Sequence, residues 1–73
     1  MDAQTVTVTG EIRLGQFLKL AGVADSGAHA RALLDEGEVQ VNGEPEARRG
    51  RQLAPGDLVV VSRPDGDHGF VVG

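Results

Sequence analysis

Seventy-three residues with seven Lys or Arg, eleven Asp or Glu and a net charge of −4 make one small acidic domain. A domain this short buries only about 60% of the surface its unfolded chain exposes, so its stability is on the order of 5 kcal/mol and it has little room for a deep catalytic cleft. The absence of cysteine excludes a disulfide framework and a thiolate metal site.

The N-terminal residues lack a basic segment followed by an apolar run, so they do not read as a signal peptide. No stretch approaches the roughly 18 apolar residues of a membrane span. The expectation is a cytoplasmic monomer without membrane contact or cofactor. Net charge argues against a nucleic-acid partner, but its distribution matters more, because charges beyond about 10 Å are largely screened.

In chain order, Thr5-Val6-Thr7-Val8-Thr9 alternates strictly and predicts a half-buried strand with both Val inward. Glu11 to Ala21 reads as a helix. Leu14, Phe17, Leu18 and Ala21 form one apolar stripe, Glu11 sits in the first turn, and Gly22 suits the left-handed position after the end. Gly15 inside this pattern is either a flexible spot or a place where a partner surface approaches closely. Asp25 or Ser26 caps a second helix, with Ala30, Leu33 and Leu34 on its apolar face and Gly37 as its stop. Asp35 and Glu36 in its last turn oppose the helix dipole.

Glu38–Val41 predicts a strand, and Asn42-Gly43 the tight turn of a hairpin, since both positions tolerate positive φ. Pro45 makes the return strand short or an edge. A loop over 47–52 follows. Ala54-Pro55-Gly56-Asp57 has the pattern of a type II turn, Leu58–Val61 is a strand, Pro64-Asp65-Gly66-Asp67 turns, and Phe70-Val71-Val72 is a last strand. That strand pairs with the first one or with Leu58–Val61. The fold class is α+β: two short packed helices on a small, mostly antiparallel sheet, with residues 1–73 as a single domain.

Three of the seven cationic side chains, Arg48, Arg49 and Arg51, fall within four residues. Arg presents a planar fork that fits phosphate in bidentate fashion, and Gly50 lets the backbone approach a surface. The rival reading pairs these arginines with Glu44 and Glu46. Arg13, Lys19 and Arg31 are helix-surface charges on composition alone, and Arg31 can pair with Asp35 at i+4. The Ser26-Gly27-Ala28 helix start is either an anion site or a plain cap. Phe17 and Phe70 lie in apolar patterns, so no exposed ring offers a base-stacking platform. His29 and His68 lack partners at metal-ligand spacing, and no nucleophile–base pair or carboxylate dyad appears.

Residues Ile12 to Leu20, Ser26 to Arg31, Gly37 to Gly43 and Gly56-Asp57 together resemble the S4 RNA-binding domain. The stretch Asn42 to Leu53 is similar to the small stand-alone YaaA/YbcJ-like branch of that family. The resemblance covers about residues 11–61. It implies an αL-motif platform of helices and hairpin that grips structured RNA, commonly ribosomal or transfer RNA, in keeping with a part in ribosome assembly or on ribosomal particles. It carries Arg13, Arg31 and the turn Asn42-Gly43 over by position; with Lys19, the Ser26-Gly27 helix start and the loop arginines these make up the expected RNA contacts, without catalysis. The chain departs from the pattern at Gly27, where many members carry Arg, and at Gly15, where many carry Asp. The loop arginines stand in for the missing phosphate contact. The competing expectation is a protein-interaction module that docks by strand addition through its last strand and its acidic face.

Overall fold

The computed structural model describes residues 2–73. In chain order its elements are β1 (Ala3–Val6), β2 (Ile12–Arg13), α1 (Leu14–Leu20), α2 (Gly27–Asp35), β3 (Val39–Val41), β4 (Glu44–Pro45), β5 (Gln52–Leu53), β6 (Leu58–Arg63) and β7 (Gly66–Val72). Five strands form one sheet in the order β1-β7-β6-β3-β4, and β2 pairs with β5 in a separate two-stranded ladder. Every neighbouring pair is antiparallel except β1 with β7.

Alternation of β-branched residues builds the central strands. Val39, Val41, Val59 and Val61 all point to one face and are fully buried. Leu14, Phe17 and Leu18 from α1, and Ala30 and Leu34 from α2, cover that face, with Phe70 and Val72 completing the core. Helices of seven and nine residues are too short to persist alone, so this burial holds them. Between them Val23 and Ala24 are buried, and both donate their backbone N–H to Leu18 O at 3.0 and 3.1 Å. Ser26 Oγ caps α2 by accepting from His29 N at 3.1 Å, and Gly37 takes φ +73° beyond its end.

The structure revises several boundaries. The first strand is Ala3–Val6, not Thr5–Thr9, because β7 offers partners only in the register Ala3↔Gly69 to Val6↔Val72. The first helix begins at Leu14, not Glu11. Ile12 and Arg13 are extended against Leu53 and Gln52, so Glu11 lies outside the helix and away from its dipole. The last strand begins at Gly66, four residues before Phe70, because the hairpin ladder with β6 runs out to Arg63↔Gly66. It pairs with β1 and β6 together, so it is interior to the sheet and has no free edge, which removes the expected strand addition through the last strand. Pro45 sits in a two-residue strand at the sheet edge, as its missing donor requires.

Candidate nucleic-acid interface

The loop from Glu46 to Arg51 is seated from both sides. Glu46 N donates to Val39 O at 3.1 Å, which ties its start to β3. The Glu46 side chain is only 9% exposed, and its carboxylate gathers five donors. Oε1 accepts from Ala47 N, Arg48 N and Arg48 Nε, each at 3.1 Å. Oε2 accepts from Arg48 Nη2 at 3.2 Å and Arg51 Nη1 at 3.0 Å. The Arg48 side chain, then the Arg48 backbone N–H, then Arg51 hold the Glu46 carboxyl down at about 2.

The far side of the loop closes the start of α1. Arg51 O accepts from Leu14 N at 2.8 Å, and Arg49 O accepts from Gly15 N at 3.0 Å. Gly50 O accepts from Arg13 Nη1 at 2.7 Å. Donors that a short helix leaves open at its N-terminus are thus met by carbonyls more than thirty residues away. Gly15 is small for this loop: a Cβ there would stand 3.4 Å from Arg49 Cβ. The close approach expected of a partner surface is made by the chain itself.

Between α1, the start of α2 and this loop lies an open groove of about 510 Å³. Arg13, Lys19 and Arg49 line it, no carboxylate does, and Gly15, Gly27, Ala30 and Gly50 keep its walls low. Among the described residues these three cations form no ion pair. The other predicted cations are engaged. Arg48 and Arg51 sit on Glu46, with Glu44 taking no part, and Arg31 Nε lies 3.8 Å from Asp35 with both side chains 68% exposed. That last pair also gives Asp35 a local partner at the unfavourable helix end.

Of the residues singled out in the sequence, Arg13, Lys19, Gly27 and Arg49 therefore converge, with Ser26 beside them as the cap of α2. Arg31 lies on α2 outside the groove lining. Asn42 and Gly43 sit elsewhere, in the hairpin turn at φ 53° and 85°. Asn42 is engaged in holding turns together: Nδ2 donates to Asp57 Oδ1 at 3.1 Å and Oδ1 accepts from Leu58 N at 2.9 Å. Asp57 Oδ2 in turn accepts from Ala54 N at 2.8 Å, and this bond, then Asn42, holds the Asp57 carboxyl below its usual range. His29 Nδ1 accepts from Asp25 N at 3.1 Å, so it belongs to the cap of α2, and His68 Nε2 lies 2.9 Å from Asp65. Sequence reasoning missed Gln16, whose Oε1 accepts from Arg13 N at 3.2 Å, and undervalued Glu46. The signal for Glu46 was a carboxylate two and five residues before two of the loop arginines.

A family model described as S4 domain matches residues 5–68. The chain is 57% identical over 53 residues to the probable ribosome maturation protein RlbA of Bacillus subtilis (strain 168), covering 73% of this chain and 75% of that protein. It is 49% identical over 53 residues to the small ribosomal subunit protein uS4m of Schizosaccharomyces pombe (strain 972 / ATCC 24843). That match covers 73% of this chain but 16% of the larger protein.

Proposed function

This chain belongs to the S4 domain family, and from that membership we propose that it is a non-catalytic module that docks on structured ribosomal RNA during ribosome assembly. The observation that carries this reading is a groove lined by three cations, none in an ion pair among the described residues, and by no carboxylate, on a molecule of net charge −4. Arg13 and Arg49 take phosphates through their guanidinium forks, and Lys19 adds a point charge. Both Phe are in the core, so the module reads backbone and shape rather than unstacked bases. Similarity to proteins named for ribosome maturation and for the small ribosomal subunit supports ribosomal over transfer RNA.

The test is binding to a structured ribosomal RNA fragment, with transfer RNA as the competitor, across a salt series. Three phosphate contacts predict a slope of log affinity on log salt of about −2 to −3. Arg49→Ala lowers affinity about tenfold, the value of one charge-assisted contact. A flat salt dependence, or full affinity in Arg49→Ala, removes the phosphate mechanism. Equal affinity for transfer RNA removes the ribosomal assignment and leaves the groove.

A further inference from the structure

Resting on the RNA reading above, we infer that Glu46 is the positioning residue of the site: its carboxylate ties Arg48 and Arg51 down so that Arg49 alone of the loop arginines enters the groove. The three arginines are chemically equivalent and crowded within four residues, so nothing in their own chemistry sorts them. Glu46 does. One oxygen takes Arg48 Nε and the other takes Arg48 Nη2 and Arg51 Nη1, all between 3.0 and 3.2 Å. The same carboxylate also accepts two successive backbone N–H groups and so fixes how the loop departs from β4. With the loop set at this end, the Arg49, Gly50 and Arg51 carbonyls reach α1 and Arg13. Arg49 then lines the groove together with Arg13 and Lys19.

This assignment runs against simple charge accounting. Glu46→Ala changes the net charge from −4 to −3, since one carboxylate is removed. A polyanion should prefer that variant if charge alone decides. Positioning requires the opposite: the loop loses its seat and Arg49 leaves the groove.

The experiment measures RNA affinity against salt for the wild type, Arg48→Ala, Arg49→Ala, Glu46→Ala and Glu46→Gln, with amide exchange at Leu14 and Gly15 as a report of loop seating. Arg49→Ala should bind about tenfold more weakly, with the salt slope shallower by about 0.7–0.9 for one lost phosphate contact. Arg48→Ala should keep the slope. Glu46→Ala should bind about tenfold more weakly with the shallower slope of Arg49→Ala, despite its extra positive charge, and the Gly15 amide should exchange faster. Should Glu46→Ala fail to fold, Glu46→Gln carries the test, because its amide oxygen still accepts from the backbone N–H groups while the charged ties are gone; it should bind more weakly than the wild type. Equal or tighter binding in the folded Glu46 variant, or a salt slope that drops in Arg48→Ala, overturns the inference. Unchanged binding in Arg49→Ala, by contrast, sinks the RNA site itself.

Discussion

At the scale of single residues, two uncharged positions matter as much as the arginines. Asn42 holds a positive φ and bridges two turns that are fifteen residues apart in the chain. Asn42→Ala forfeits the conformational tolerance and leaves Leu58 N and Asp57 with fewer partners, so it should cost about 2 kcal/mol of unfolding free energy in a denaturant titration. Its RNA affinity, measured on the folded fraction, should stay near wild type if Asn42 acts only through the fold. Gly15 is different. Gly15→Ala places a methyl at ordinary contact distance from Arg49 and should change stability by less than about 1 kcal/mol. Gly15→Val adds two further methyl groups at that contact, and it should displace the loop and weaken RNA binding while leaving the β6–β7 amides protected. A Gly15→Val protein with wild-type affinity would mean the loop position is unimportant. In the sequence the arginine cluster was legible as a cationic feature. Which of its members stays free was not, because Glu46 makes that choice through a turn geometry that residue types do not encode.

At the scale of elements, the pieces legible in the sequence were those decided locally. The alternating valines placed β3, the unbroken run Leu58–Val61 placed β6, Asn42-Gly43 placed the hairpin, and Ser26 and Gly37 bracketed α2. The start of α1 was not local. Ile12 and Leu14 fit a strand or a helix by spacing alone, and the decision comes from Gln52 and Leu53 forty residues later. The polar first half of β7 hid for the same reason, since Gly66 to Gly69 carries no apolar alternation and is strand only because β6 runs alongside. It follows that the helices should not survive excision. A peptide spanning residues 11–37 should show little helical signal by circular dichroism in water. Strong helicity in that peptide would move the source of α1 and α2 from tertiary packing to intrinsic propensity.

At the scale of the whole molecule, the loop couples the binding surface to acid stability. The Glu46 carboxyl titrates at about 2 in the folded protein against 4.5 ordinarily, so the unfolded chain takes up that proton first. Its contribution is complete above about pH 4.5 and is lost as the pH falls toward 2, with the lowered Asp57 carboxyl adding in the acid range. The thermal midpoint should therefore drop through that window, and Glu46→Gln should flatten the drop. An identical acid profile in the two proteins would show that the Glu46 ties do not distinguish folded from unfolded chains.

The groove is cationic while the molecule around it is not, and Arg63, outside that groove, shares its surroundings with Glu36 and Glu38. With three cations in the groove, the rest of the molecule carries a net −7 (−4 minus +3), a balance that favours holding one polyanion over bridging two. Excess protein should fill each docking place once and stop, without coating, crosslinking or condensing the RNA. Monovalency of this kind would let such a small domain join a crowded ribonucleoprotein particle without gluing it to its neighbours.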